Sequence, residues 1–486
     1  MSPISIILLI VAYFGLLILI SFFTGKKSDN DTFFKANKSS PWYVVAFGMI
    51  GASLSGVTFI SVPGWIEASQ FGYMQVVLGY IVGYLVIGTV LLPLYYRLNL
   101  TSIYTYLEER FGNYSYKTGA SFFLISRVVG ASFRLYLVAN VLQLILFDEL
   151  GISFWQTVTI TVLLIWLYTF KSGIKTIVWT DTFQTLFMLI SVGVAIYFVS
   201  SELGIEGGNI IGYVLDNDLS KTFFFEDFKS GNYFWKQFIS GAFIAIVMTG
   251  LDQDMMQKNL TCRSLKDAQK NMFWFTIVLT IVNFVFLSLG LLLTVYAQKN
   301  GIDAHKDDLF PLLAKNHLGA GVFVFFLIGL IAAAYSSADS ALTALTTSFS
   351  IDILNIEKKH SKEKQIKMRK QIHILISILL IFVIISFKYL IKDESVIAKL
   401  FVFAGYTYGP LLGLYAFGLF TRMTVKDVFV PIIAVLSPII SYLISVNSLK
   451  WFGFEFGFFI LILNGFLTFL GLLLIARKDA KARNSV

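Results

Sequence analysis

The chain has 486 residues, of which 57% are hydrophobic and 14% charged, and its mean hydropathy is +0.76. Soluble proteins carry roughly 25% charged residues, so these values exclude a soluble protein, a disordered chain and a collagen-like one. The single cysteine, Cys262, also excludes a disulfide scaffold. A net charge of +9 would favour a nucleic-acid partner in a soluble domain, and its distribution along the chain decides what it means here.

Thirteen apolar segments are long enough to cross a membrane, which takes about 20 residues. The first, Ser2–Gly25, has no charged side chain, and no basic residue precedes it as a signal peptide would require. We therefore interpret it as a retained helix. The others lie near 42–66, 72–96, 118–147, 152–170, 176–200, 233–257, 271–297, 320–350, 372–391, 396–420, 425–446 and 452–476. The sequence predicts an all-α membrane protein with about 13 transmembrane helices.

Lysine and arginine are distributed unequally between the two sets of loops that alternate along these segments. With the N-terminus outside, 26 Lys and Arg residues fall on the inner side, Lys258 among them, and seven fall on the outer side. Cytoplasmic loops are enriched in Lys and Arg, so this distribution predicts an outside N-terminus and a cytoplasmic C-terminus. It also explains the net charge without nucleic acid.

The second segment contains an interruption, FGMIGASLSGVTFISVPGW, from Phe47 to Trp65. A broken helix at membrane depth frees backbone carbonyls, which is costly unless they line a cavity or bind something. Freed carbonyls near 51–56 would suit a cation. The alternative is close helix packing through small residues, and this segment alone does not separate the two.

Polar residues also lie within the ninth segment, where Ser336, Asp339 and Ser340 share one helix face. A carboxylate in mid-membrane rarely faces lipid, and hydroxyl and carboxylate oxygens are the ligands that hard cations prefer. We therefore expect a cation or proton site at Asp339. Each serine taken alone has a simpler interpretation, a hydrogen bond back to its own helix.

Three further acids lie at or near membrane depth. Asp181, in IVWTDTFQTLFML, is predicted to pair with Asp339 across the bundle and to share a cation or a proton with it. Asp252 and Asp254, in MTGLDQDMMQKNL, have a simpler interpretation as caps of a helix at the membrane surface.

Two arginines lie seven residues apart in the fourth segment. Arg134 is predicted either to pair with a structural carboxylate or to receive the carboxylate of a solute through its two-pronged donor geometry. Arg127 lies nearer the cytoplasmic end, and we expect its side chain to snorkel towards the surface.

The eleventh segment carries a second candidate interruption, YTYGP at 406–410. This one and the break near 51–56 occupy corresponding places in two five-helix halves, which points to an inverted-repeat transporter with its site at the midplane. The predicted single domain, 1–486, comprises a peripheral first helix (1–25), two inverted repeats (42–200 and 233–420) and two C-terminal helices (425–476).

Sequence motifs of enzymes are missing. The chain has no P-loop, Rossmann glycine fingerprint, HExxH or GxSxG. The four histidines, His305, His317, His360 and His373, fall in or beside predicted loops, which argues against a buried histidine–zinc site. We expect no enzyme activity.

Four stretches together resemble the sodium/solute symporter family, whose members share the leucine-transporter fold. They are GASLSG near 51–56, SGIKTIVWTDTFQT at 172–185, GLDQDMMQKNLTCRSLKDAQ at 250–269 and AAAYSSADSALT at 332–343. The resemblance runs over nearly the whole chain. It implies sodium-driven symport of a small polar solute by alternating access, with sodium as the co-transported ion.

The resemblance implies a main sodium site of carbonyl and hydroxyl oxygens at Gly51, Leu54, Ala333, Ser336 and Ser337. A second site, present in some members, implies Asp181, Ser336, Asp339 and Ser340. Asp339 stands where a hydroxyl residue is usual, which favours a stronger second sodium site or a proton site.

The solute positions that the resemblance implies are Ser55, Thr58, Phe59, Arg134, Thr249, Gln253 and Phe403. The family's sugar transporters resemble one another in a glutamine before a Gly-Pro motif, whereas the stretch FVFAG at 401–405 is apolar. This argues against a sugar, and Arg134 favours a carboxylate-bearing solute (a sialic acid, an amino acid or a monocarboxylate), with a sugar as the alternative.

Two rivals belong to other functional classes: a transporter-like sensor and a passive sodium channel. We expect a multi-pass protein of the cell membrane with lipid, sodium and a small solute as its partners. Nucleic acid is not expected as a partner, and the expected state is a monomer.

Overall fold

The protein is a bundle of long helices in a computed structural model that describes residues 3–24, 30–170, 173–390 and 396–477. Within these residues, ten helices are long and apolar enough to cross a membrane, and two further helix pairs pass the same test together. The segment predicted at 152–170 forms a shorter apolar helix of 16 residues. The expectation of an all-α membrane protein is confirmed.

The helices fall into two halves along the chain. Those of the first half are α1 (Pro3–Thr24), α2 (Trp42–Ser53), α3 (Gly56–Gly64), α4 (Tyr73–Arg97), α5 (Asn113–Phe147), α6 (Phe154–Thr169) and α7 (Ile174–Glu202). Those of the second half are α8 (Phe234–Gly250), α9 (Gln253–Asn259), α10 (Leu265–Lys299), α11 (Gly319–Ile353), α12 (Lys362–Leu390), α13 (Val396–Phe420), α14 (Asp427–Phe452) and α15 (Gly457–Leu474).

Shorter elements connect the long helices. Six short helices are Asn30–Lys35, Ile66–Ser69, Thr105–Arg110, Ile210–Leu215, Leu309–Asn316 and Ile356–Lys359. Two strands, Thr424–Val425 and Ala476–Arg477, pair antiparallel and join the two ends of the α14–α15 hairpin.

Two spans are broken, and each is the first span of a predicted repeat. The axes of α2 and α3 differ by 54°, and those of α8 and α9 differ by 69°. Discontinuous helices are therefore confirmed, but the second break lies at Leu251–Asp252 and not where the sequence predicted it.

The predicted interruption at 406–410 is wrong, because α13 continues through Pro410. A proline cannot donate to the carbonyl four residues before it, which is the Tyr406 carbonyl. The Asn464 side-chain amide of α15 donates to that carbonyl at 2.8 Å and to the Gly405 carbonyl at 3.0 Å. Gly409 leaves room for this amide, since a Cβ there would lie 2.2 Å from Asn464 Nδ2. Asn464 of α15 thus supplies the hydrogen bond that Pro410 cannot make, and α13 stays continuous.

Helix α11 forms the centre of the bundle and is buried on all sides from Gly329 to Ser348. It packs against α2 and α3, α5 and α7. Small residues allow this close approach: at Gly329 a Cβ would lie 2.5 Å from Ser191 Oγ of α7. The polar residues of α11 therefore face other helices and not lipid.

The outer surface of the bundle is apolar. On α14 the exposed side chains include Ile432, Val435, Leu436, Ile439 and Ile440. Exposed apolar faces of this kind are stable in a lipid environment and not in water.

Candidate functional site

The first break presents backbone oxygen atoms at the centre of the bundle. Helix α2 ends at Ser53 and α3 begins at Gly56, with Leu54 and Ser55 non-helical between them. The Leu54 amide donates a hydrogen bond to the Ile50 carbonyl at 2.8 Å. Carbonyls at a helix C-terminus otherwise lack intrahelical partners and form the negative end of the helix dipole. This end of α2 is therefore suited to a cation.

Helix α11 brings two hydroxyl groups to the same end of α2. The Ser337 hydroxyl lies 3.3 Å from the Ala333 carbonyl and 3.5 Å from the Ala52 carbonyl. A Cβ on Gly51 would lie 3.3 Å from Ser336 Oγ and 2.2 Å from Thr185 Oγ1. Only a glycine therefore lets the α2 backbone come this close, and Ser336 and Ser337 of α11 are neighbours of the end of α2.

An acidic cluster lies directly behind Ser336, between α7 and α11. The Ser336 hydroxyl donates to Asp181 Oδ1 at 2.6 Å. The Ser340 hydroxyl lies 3.4 Å from Asp181 Oδ2 and 3.3 Å from Asp339 Oδ1. Because Ser336 donates its only proton to Asp181, its oxygen lone pairs remain available to a cation on the other side.

Tyr168 and Lys258 complete this cluster. The Tyr168 hydroxyl donates to Asp339 Oδ2 at 2.8 Å. Lys258 Nζ lies 2.7 Å from Asp181 Oδ2, and both side chains are at most 1% exposed. Lys258, counted above among the cytoplasmic loop charges, is therefore a buried residue of α9.

The second break is closed by side chains of the protein itself. The hydroxyls of Tyr95 and Tyr104 donate to the carbonyls of Gly250 and Leu251, at 2.8 and 3.0 Å. Asp252 caps α9 by accepting from the amides of Asp254 and Met255. The predicted cap is confirmed for Asp252, which is buried, but not for Asp254, whose carboxylate pairs with Arg127.

Arg127 does not snorkel to the surface as predicted. Its side chain is 4% exposed and forms ion pairs with Asp254 and, at 3.9 Å, with Asp252. Asp252 also accepts a short hydrogen bond from the Tyr408 hydroxyl. The ion pairs of Arg127 thus lie within the protein and connect α5 to the broken span α8–α9.

A cavity of about 90 Å³ lies beside the first break. Four of the residues predicted to contact a solute line it: Ser55, Thr58, Arg134 and Thr249. The wall also includes Tyr73, Tyr80, Tyr84, Arg127 and Asn283, none of which the sequence predicted as a solute contact. Small-molecule sites measure about 300–1,000 Å³, so the wall must move outwards before an organic solute fits.

Arg134 is a buried cation of this cavity that has no carboxylate partner among the described residues. It forms no ion pair with a carboxylate of the described residues, and its Nε has no hydrogen-bond partner. The acids that a structural pair would need, Asp252 and Asp254, lie against Arg127. Of the two roles that the sequence left open, the geometry favours reception of a carboxylate from outside the chain.

The other three predicted solute residues are not among those that line the cavity. Phe59 is fully buried against the rings of Phe286, Phe310 and Phe326, with centroids 5.4–5.9 Å away. The Gln253 side-chain amide accepts a hydrogen bond from the Ile103 backbone amide and donates one to the Thr101 carbonyl. Phe403 lies near Phe133, with ring centroids 6.4 Å apart. We leave these three out of the proposed solute site.

Comparisons with known proteins identify the family of the chain. Residues 33–433 match the model of the sodium:solute symporter family. The chain belongs to that family. It is a family of sodium-coupled transporters and not of enzymes, as expected.

Two curated relatives of this symporter cover most of the chain. A sodium/sialic acid symporter of Aliivibrio fischeri is 25% identical over 85% of this chain and 82% of its own. The mouse sodium-coupled monocarboxylate transporter 1 is 27% identical over 85% of this chain and 67% of its own.

Solved structures of two transporters have a similar fold. The substrate-bound outward-open state of a sodium-coupled sialic acid symporter matches with a TM-score of 0.81 and 21% identity over 98% of this chain and 99% of that one. A nucleobase-cation-symport-1 family transporter in a closed conformation matches with a TM-score of 0.57 at 14% identity, over 92% and 94% of the two chains. At these identities the two structures support the fold alone.

Sequence reasoning missed Lys258, Tyr168 and the cavity tyrosines of this symporter. Lys258 follows Asp252 and Asp254 in a stretch already singled out, so a carboxylate-rich half-helix entering the bundle was the available signal. Tyr168 and the three tyrosines sit in apolar segments, where a hydroxyl group gives no signal until its neighbours are known.

Proposed function

We propose that the protein uses the sodium gradient to carry a small carboxylate-bearing solute into the cell by alternating access. The observation that carries this is Arg134, a buried guanidinium in the central cavity that has no carboxylate partner among the described residues. A planar guanidinium binds a carboxylate through two parallel hydrogen bonds. The curated relatives are named for sialic acid and for monocarboxylates, both of which carry this group.

Sodium is proposed to bind between α2 and α11. The carbonyls of Gly51, Leu54 and Ala333 and the hydroxyls of Ser336 and Ser337 supply oxygen ligands, the kind that hard cations prefer. Since α2 belongs to the first repeat and α11 to the second, a bound ion would hold the two halves together. Binding of sodium thereby favours the state that accepts the solute.

The solute is proposed to bind beside this ion, where Ser55 and Thr58 of the first broken span face Arg134 and Thr249. The non-helical residues at the break connect the two sites, since Leu54 belongs to the sodium set and Ser55 lines the cavity. Outward movement of the wall would then open the contracted cavity, as alternating access requires.

The orientation in the membrane is also part of the proposal. An outside N-terminus and a cytoplasmic C-terminus in the cell membrane follow from the loop charges, and a monomer remains our expectation. The acids Asp181 and Asp339, with Ser340, form the proposed second cation or proton site, whose occupant is considered in the next subsection.

Uptake into liposomes tests the proposal. The purified protein would be screened with labelled sialic acid, amino acids, monocarboxylates and sugars, with and without an inward sodium gradient. We expect accumulation of a carboxylate-bearing solute only under the gradient, and a weaker sodium dependence in Ser336→Ala. Accumulation of none of these solutes would contradict symport, and accumulation of a neutral sugar would contradict the role of Arg134.

Arg134→Gln should raise the KM for the solute roughly 10- to 100-fold, because a charge-assisted hydrogen bond contributes about 1.5–3 kcal/mol. Arg134→Lys should recover part of the loss, since it restores the charge but not the two-pronged geometry. The exposed Arg97→Gln at the end of α4 is the matched control and should leave the KM unchanged. An unchanged KM in Arg134→Gln would remove Arg134 from the site.

A further inference from the structure

The acidic cluster of Asp181 and Asp339 contains a positively charged side chain, the ammonium group of Lys258. Lys258 Nζ lies 2.7 Å from Asp181 Oδ2, and neither side chain is more than 1% exposed. Burying an ammonium group is costly unless a carboxylate compensates it. The pair is therefore a fixed feature of the folded state and not a surface contact that forms and breaks.

The ammonium lies on a carboxylate oxygen of the predicted second cation site. Asp181 Oδ2, which the ammonium contacts, is also approached by the Ser340 hydroxyl at 3.4 Å, and Asp181 Oδ1 accepts from Ser336 at 2.6 Å. A sodium ion that used Asp181 as a ligand would compete with the ammonium for the same carboxylate. Both carry one positive charge, so they would also repel each other in a site with little water.

The backbone keeps Lys258 in this position. It lies in α9, whose N-terminus is capped by the buried Asp252, and its carbonyl accepts a hydrogen bond from the Thr261 hydroxyl at 2.7 Å. Asp181 lies on α7, so the pair also joins the two predicted repeats. Departure of the ammonium from Asp181 would leave two buried charges uncompensated, which favours a pair that persists while α7 and α9 stay packed.

We propose that the Lys258 ammonium permanently takes the cation position on Asp181, so that only the main site is loaded and one sodium ion accompanies each solute. The inference rests on the proposed function and deepens it, because it sets the number of ions per cycle. Asp181 then acts as a positioning residue: it holds the Ser336 hydroxyl with its lone pairs towards the main site.

Equilibrium binding of ²²Na⁺ to the purified full-length protein tests this without knowledge of the solute. We expect one sodium ion per wild-type protein and almost none in Ser337→Ala, which loses a ligand of the main site. Lys258→Met should bind two, since it vacates the second position, and Lys258→Arg should still bind one. Lys258→Met combined with Asp181→Asn should return to one, which locates the additional ion at Asp181.

Two results would overturn the inference. The first is two sodium ions in the wild type, or one that persists in Ser337→Ala, because the second position would then be open with Lys258 in place. This measurement needs no change at Lys258 and so does not depend on how well the lysine variants fold. The second is one ion in a monodisperse Lys258→Met. By contrast, no sodium bound to the wild type would contradict the proposed function itself, and the inference with it.

Discussion

Two arginines of one helix show how position decides the role of a residue type. Arg127 and Arg134 are two turns apart on α5, and both side chains are buried. The carboxylates of α9 compensate the first, while the second faces the cavity without a carboxylate of the described residues. The first therefore contributes to the stability of the fold, and the second is available to a ligand.

Substitution of each arginine by glutamine should separate these roles. Arg127→Gln leaves Asp252 and Asp254 buried without their counter-charge, which should cost about 3–5 kcal/mol in the free energy of unfolding. Arg134→Gln breaks no ion pair of the described residues and should change stability much less. Apparent melting temperatures in detergent, followed by tryptophan fluorescence, would compare the two. Equal losses of stability in both variants would contradict the assignment.

The sequence could not reveal the partner of Arg127. Its distance from the helix end predicted a snorkelling side chain, but its carboxylates come from a half-helix bent by 69° into the bundle. Ser336, Ser337 and Asp339 were found because polar side chains stand out in an apolar helix. Lys258 was missed, because lysine next to a predicted loop is ordinary.

At the scale of the elements, the two predicted breaks had different outcomes. The break at 54–55 was predicted because glycine and serine are dense there and no side chain from elsewhere was needed to explain it. The prediction of a break at 406–410 was wrong because the Asn464 amide replaces the hydrogen bond that Pro410 removes. Asn464 lies 54 residues further along the chain than Pro410. Local sequence predicts where a helix is weak, but not whether a neighbour compensates for it.

Asn464→Leu should therefore weaken α13. It leaves the Tyr406 carbonyl, for which Pro410 has no amide, without the donor that Asn464 supplies, which costs about 1–3 kcal/mol for a buried group. Pro410→Ala restores an amide that can bond to Tyr406, so the loss caused by Asn464→Leu should be smaller in that background. Melting temperatures of the two single variants and the double variant form the required cycle.

A purely additive cycle would contradict this account, since it would mean that Asn464 and Pro410 do not act on the same carbonyl. The half-buried Asn447 of α14, whose amide donates within its own helix, offers a control, and Asn447→Leu should change stability little.

For the whole molecule, the family and the helical fold could be predicted from sequence, and the orientation in the membrane stays a prediction. Labelling with a membrane-impermeant maleimide would test it in a Cys262→Ser background. We expect Asp216→Cys, between α7 and α8, to react in intact cells and Glu363→Cys, at the start of α12, to react only after permeabilisation. Both positions are exposed acidic residues, so they are matched for access. The reverse pattern would invert the topology.

The buried lysine on Asp181 has a consequence for how the membrane voltage acts on uptake. If the solute has a net charge of −1, as a monocarboxylate has, one sodium ion and one solute carry opposite charges, so a cycle that moves both transfers no net charge. A voltage of 100 mV supplies about 2.3 kcal/mol for each net charge moved, and such a cycle receives none of it. Accumulation of the solute is then limited by the sodium concentration ratio, and uptake continues unchanged when the voltage collapses. Loss of the lysine would admit a second ion and make the same transporter respond to voltage.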